Sequence, residues 1–228
     1  TLAGCHQNIS NSYHFLDRFA ESKTHILTAI ELFKKCHGEN SPLIPYASLG
    51  LVLGDLSEVE LSEHYHKKAL KISMENHGEN SLEYAKDLFY LAILKLESNK
   101  YKDGISDLKK IIKIRSKILG ANHIDLVMPL RNLALAYDQS GKRRLRHKSL
   151  MRILELYNFN NITGHPDLSY VYDFMASDQL EKNQKQALGF AKKANLDFSV
   201  YLKNSIKNLN QSEILELLLR LYSERNPY

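Results

Sequence analysis

Apolar side chains recur along this chain every three to four residues, in blocks that stop and restart. Leu88, Leu91, Ala92 and Leu96 share one face of a helix, the pattern gives way at Ser98-Asn99, and Ile105, Leu108, Ile111, Ile112 and Ile114 take it up again. The next block behaves alike: Leu126, Leu130, Leu133, Ala134 and Tyr137 fall on one face, Gly141 interrupts, and Leu145, Leu150, Ile153, Leu154 and Tyr157 resume. Each block is predicted to be an amphipathic helix with one buried stripe, joined to the next by a short turn. The punctuation agrees. Pro42, Pro45, Pro129 and Pro166 fall near the predicted starts, where a missing N–H costs no intrahelical bond. Gly38, Gly78 and Gly120 stand just past predicted ends, where a C-terminal cap belongs.

The blocks themselves repeat. His37-Gly38-Glu39-Asn40-Ser41 returns as His77-Gly78-Glu79-Asn80-Ser81, with looser versions at Leu119-Gly120-Ala121-Asn122-His123 and Thr163-Gly164-His165-Pro166-Asp167. Small residues Ser10, Gly50, Ala92, Ala134 and Ala176 follow one another at intervals of 40, 42, 42 and 42. A second series, Ala29, Ala69, Ile111 and Ile153, trails the first by 19 residues at every step. Two series locked in phase mean two helices per repeat. A small side chain at the shared anchor lets the paired helices approach closely, and a larger one would force them apart.

These residues resemble the tetratricopeptide repeats, in the longer 42-residue form of kinesin light chains. Leu119-Gly120-Ala121-Asn122-His123-Ile124-Asp125, continuing through Leu130-Arg131-Asn132-Leu133-Ala134-Leu135-Ala136-Tyr137 to Gly141-Lys142, is similar to that family's Leu-Gly, His-Pro-Asp, Leu-Asn-Asn-Leu-Ala and Tyr…Gly-Lys pattern. Ile124 replaces the proline and Arg131 the first asparagine; the fourth copy restores His165-Pro166-Asp167. The resemblance spans roughly residues 5 to 200 and implies an all-α superhelical solenoid of four to five helix pairs. One departure stands out. Where the second helix of each pair packs a small residue, the chain has Ser22, Ser62 and Gly104, but then Arg146. The expected organisation is a lipobox remnant or linker over 1–5, a solenoid over 6–200 and a capping helical segment over 201–228. In the last, Ser212 to Tyr222 is apolar almost all round.

Composition narrows the function classes. With 228 residues and 43% apolar content the chain can bury a full core. No apolar run approaches the roughly 18 to 20 residues that span a bilayer. The two cysteines, Cys5 and Cys36, have no clustered companions of zinc-ligand type. His64 and His66 are two apart and point to different helical faces, and no His-Glu-x-x-His, phosphate loop, dinucleotide fingerprint or nucleophile elbow occurs. The expectation is a binding protein, not an enzyme, with no cofactor and no metal.

Function is therefore sought on the first helix of each pair, which lines the inner wall of such a solenoid. Offsets from the small anchors place Lys86, Phe89, Tyr90 and Ile93 there, with Arg131, Asn132, Leu135 and Asp138 from the next repeat, and Gln7, Ser48 and Leu51 extending the surface. A floor of aromatic and aliphatic groups with a few amide or guanidinium donors suits a peptide segment of a partner protein. The Lys and Asn set by which one subclass of the family grips a C-terminal carboxylate is not reproduced.

Two further features suggest alternatives. Lys142, Arg143, Arg144, Arg146 and Lys148, with His147, concentrate cations in one turn that would attract an anionic partner. The net charge is only +5, however, and no aromatics interleave with the cations, which argues against nucleic acid. Thr1-Leu2-Ala3-Gly4-Cys5 resembles the end of a bacterial lipoprotein signal peptide, which would make Cys5 a lipidated membrane anchor and place the protein in the cell envelope as an adaptor; otherwise it is expected in the cytoplasm.

Overall fold

The computed structural model describes residues 1–179, 189, 190 and 192–194. The expected capping segment 201–228 lies outside the described residues. The described residues include the α-helices α1 (Leu2–Phe15), α2 (Phe19–His37), α3 (Tyr46–Asp55), α4 (Val59–His77), α5 (Leu82–Glu97), α6 (Tyr101–Leu119), α7 (Val127–Gln139), α8 (Arg143–Phe159) and α9 (Pro166–Gln179), and residues 189, 190 and 192–194 are helical as well. No strand occurs among them, and no helix there is long and apolar enough to cross a membrane. The chain divides into two units, residues 1–146 and 147–228.

In the first unit α1 packs on α2, α3 on α4 and α5 on α6, and each pair stacks on the next through α2 with α3, α4 with α5 and α6 with α7. The anchors lie where the helices of a pair cross: Ser10 is 1% exposed, Ala92 0% and Ala134 2%, and Gly50 is likewise buried. Opposite each anchor, twelve residues on, the second helix solves the close approach differently. Ser10 and Ser22 bond reciprocally, each hydroxyl donating to the other's backbone carbonyl at 3.0 and 2.9 Å. The Ser62 hydroxyl donates to the Gly50 carbonyl at 2.7 Å. Gly104 leaves room for Leu96; a Cβ on it would stand 2.5 Å from the Leu96 Cδ2 and 3.2 Å from the Ala92 carbonyl oxygen. In the fourth pair the position carries Arg146, buried and ion-paired with Asp138 of α7.

The trailing series is buried as well: Ala29, Ala69, Ile111 and Ile153 face the core. One cluster joins Ile26, Ile30, Phe33, Tyr46, Leu49 and Leu53 across α2 and α3, and another joins Leu88, Leu108, Ile111, Leu133 and Tyr137 across α5, α6 and α7. At about 25 cal/mol per Å² of apolar surface removed from water, such stripes dominate the stability of each pair. Leu145 departs from the expected stripe. It sits in the first turn of α8 and is 41% exposed, because burial there is taken by Arg146 one residue later.

The loops show why their residues recur. Gly38, Gly78 and Gly120 close α2, α4 and α6 with φ of 82°, 79° and 99°, a region that glycine enters without a Cβ clash. His123 and His165 act as caps: each Nδ1 accepts the backbone N–H two residues on, from Asp125 and Asp167, at 3.2 Å. Seven residues after each anchor, the turn within a pair also needs positive φ. Asp17 (56°), Ser57 (61°), Asn99 (58°) and Gly141 (68°) occupy it. Aspartate and asparagine tolerate this region better than serine. Ser57→Gly should therefore raise stability by several tenths to about 1 kcal/mol, read as a higher urea midpoint, the relief of left-handed strain exceeding the entropic cost of glycine. An unchanged or lower midpoint would refute that balance.

The second unit is described only in part. Within it, buried Leu150, Ile153, Leu156 and Tyr157 of α8 and Leu168, Val171 and Met175 of α9 form apolar faces. The Tyr157 hydroxyl reaches both His165 Nδ1 and the Asp167 carboxylate at 3.0 Å, tying the His-Pro-Asp loop to α8.

Candidate functional site

The first unit carries two neighbouring clefts on its odd-numbered helices. One, of about 210 Å³, lies among α1, α3, α4 and α5 and is lined by Gln7, Ser48, Ser73, His77, Lys86 and Asp87 together with the Pro42–Pro45 loop. Burial pushes the Asp87 carboxyl up from its ordinary range, with Lys86 among the groups that pull it back. The other, of about 270 Å³, lies between α3 and α5, with α4 as its floor. Its walls are Leu51, Phe89, Tyr90, Ile93 and Leu94, its floor is His66, and Asp55 and Glu97, the last residues of α3 and α5, line it as well.

Several residues expected on the inner wall are thus brought together. Gln7, Ser48 and Lys86 share the first cleft, and Leu51, Phe89, Tyr90 and Ile93 the second. The four from α7 do not line either. Asn132 uses its side-chain N–H to donate to the Met128 carbonyl of its own helix at 3.0 Å. Asp138 is taken by Arg146, so its carboxylate is engaged within the first unit and not on an open wall. Arg131 and Leu135 are half-buried on α7.

The expected basic turn also needs correction. Arg146 is 7% exposed and neutralised by Asp138, so it does not present its charge to a partner. Its small-residue counterparts Ser22, Ser62 and Gly104 mark the spot as helix crossing, and a cation placed there had to find a carboxylate. Lys142, Arg143, Arg144 and Lys148 remain exposed. Cys5 is exposed in the first turn of α1, whose N-terminus is capped by the Thr1 hydroxyl accepting the Gly4 N–H at 3.3 Å, so residues 2–5 are helical.

His66, set aside with His64 on spacing alone, is part of the second cleft. Its imidazole is 2% exposed, stacks on Tyr90 with ring centres 5.2 Å apart, and lies so close to Gly50 that a Cβ there would stand 2.7 Å from the ring. Its Nδ1 has no hydrogen-bond partner, and burial lowers its pKa from 6.5 to about 4. The ring is therefore neutral at pH 7. Sixteen residues after each anchor the other repeats hold Ile26, Leu108 and Leu150, all buried, so the signal was present as one polar exception in an apolar column.

No group of three or more metal-ligating side chains occurs among the described residues. No protein-family model and no curated protein matches the sequence. Solved structures do match. A kinesin-light-chain-like protein of Podosopora anserina, with nearly identical TPR-like repeats, superposes with a TM-score of 0.70 at 13% identity, over 85% of this chain and 93% of that one. The apo form of RapI gives 0.72 at 14% identity over 98% and 84%, and BtubC from P. vanneervenii gives 0.67 at 15% over 88% and 79%. The fold is therefore that of the tetratricopeptide-like helical repeats, as the 42-residue period implies.

Proposed function

We propose that this protein is a non-enzymatic interaction scaffold whose first unit holds an extended segment of a partner protein along α1, α3 and α5. The observation that carries the reading is the pair of adjoining clefts: a polar one offering Gln7, Ser48 and Lys86, and an apolar one offering Leu51, Phe89 and Ile93. A peptide in extended form exposes backbone N–H and C=O groups to the first and side chains to the second. Aromatic groups half-buried in a concave wall are the kind of anchor that carries most of the binding energy in such complexes.

The test is selection of displayed random 12-residue peptides on the immobilised full chain. Enriched peptides should bind the Gln7→Ala/Phe89→Ala protein at least tenfold more weakly, a loss of about 1.4 kcal/mol or more. Peptides that bind the double variant as tightly as the unaltered chain would move the site off this surface.

A further inference from the structure

Resting on that peptide-binding reading, we infer that the α3–α5 cleft receives a segment in which a large apolar side chain stands next to a lysine or arginine. The interior sets the first requirement. It offers about 270 Å³ walled by Leu51, Phe89 and Ile93, and an enclosed apolar cavity of about 150 Å³ already accepts benzene. Nothing charged lies at the bottom, because His66 is buried and neutral at pH 7.

The rim sets the second. Asp55 and Glu97 end α3 and α5, so the partial negative charge of two helix C-termini adds to two carboxylates. Asp55 has one partner, His14 Nε2 at 2.6 Å, and Glu97 forms no ion pair among the described residues. Desolvation, with the Asp55 charge added, pushes the Glu97 carboxyl up from its ordinary range, so its ionised form is held at a cost in the free protein. A guest cation at the rim would relieve that cost. Arg115 lies over the Phe89 ring, with its guanidinium 5.8 Å from the ring centre, and its side chain is engaged with the Asp125 carbonyl at 2.8 Å. The cleft therefore presents apolar depth beneath a carboxylate-lined edge on which Glu97 forms no ion pair among the described residues, and an acidic flank on the guest would meet like charge there.

The experiment uses two displayed peptide libraries with random flanks, one fixing Leu or Phe followed by Lys or Arg at the centre, the other fixing Leu or Phe followed by Asp or Glu. Both are selected on the immobilised full chain. The basic library should enrich and the acidic one should not. Enriched peptides, made synthetically with a fluorophore, should bind Glu97→Lys at least tenfold more weakly by anisotropy, and Glu97→Gln by a smaller factor. A lysine at a helix C-terminus is favourable, so the variant keeps its fold. Preferential enrichment of the acidic library, or enriched peptides indifferent to Glu97→Lys but weakened by Gln7→Ala/Phe89→Ala, would overturn this inference and leave the scaffold reading standing. Failure of both libraries, together with failure of the fully random one, would overturn both.

Discussion

Asp138→Ala is expected to cost about 2 to 3 kcal/mol, more than truncating any exposed ion pair of the protein. Removing one partner of a buried pair typically costs about 3 to 5 kcal/mol, because the remaining charge has lost its water and its counter-ion together. Asp138 is about one-third exposed although Arg146 is nearly closed off, which brings the figure just below that range. Exposed pairs such as Arg18–Glu21 and Lys67–Glu63 contribute far less. Replacing both members tests the origin of the effect. Leu96 occupies in the preceding repeat the place that Asp138 holds here, so Asp138→Leu/Arg146→Met should fill the crossing with apolar volume and recover to within about 1 kcal/mol of the unaltered protein. Urea unfolding of the singles and the double, followed by circular dichroism, gives the coupling. Additive losses would mean that the two side chains are not coupled.

The same site shows how far the sequence could be read. The 42-residue interval located every close approach in the first unit, because helix crossings are set by size, and size is visible in a residue's identity. Ser22, Ser62 and Gly104 announced themselves in this way. Arg146 was just as conspicuous as an exception, yet counting it with Lys142, Arg143 and Arg144 as part of a cationic turn ignored that the crossing buries whatever stands there. Its partner could have been sought one turn beyond the anchor, where Asp138 lies. Seven of the eleven residues that the offsets place on the inner wall line the two clefts, since the offsets depend only on helical phase. They failed for Asn132, whose amide is drawn to a carbonyl of its own helix, because competition between internal and external hydrogen bonds leaves no mark on the period. Positive φ after each anchor was half legible: Gly141 and Asn99 are the residue types that signal it, whereas Ser57 is held there by the stacking of α3 on α4.

Acidification from pH 7 to pH 4 should remove about 3 kcal/mol of stability through His66 alone. The unfolded chain takes up a proton on this imidazole as pH falls through about 6.5, whereas the folded chain resists until about 4, since burial disfavours the charged ring. Between those values the unfolded state binds more protons, so the contribution is complete above about pH 6.5, declines as pH falls, and is exhausted below about 4. An interval of about 2.5 pH units at about 1.36 kcal/mol each gives the stated size. Asp87 and Glu97 act in the opposite direction, because burial raises their pKa values and protonation on folding favours the native state in acid. The informative quantity is therefore the difference between proteins. His66→Leu installs the residue type that Leu108 and Leu150 supply at this position in other repeats, keeps similar volume against Gly50 and Tyr90, and removes the titration. Urea midpoints measured at half-unit steps from pH 7.5 to 4 should converge on a profile about 3 kcal/mol flatter for the variant than for the unaltered chain. Parallel profiles would show that the ring is protonated, or solvated, inside the folded protein. A neutral floor under the α3–α5 cleft would then no longer hold, and the binding of a basic guest would be expected to weaken steeply with acid instead of following the carboxylates at the rim.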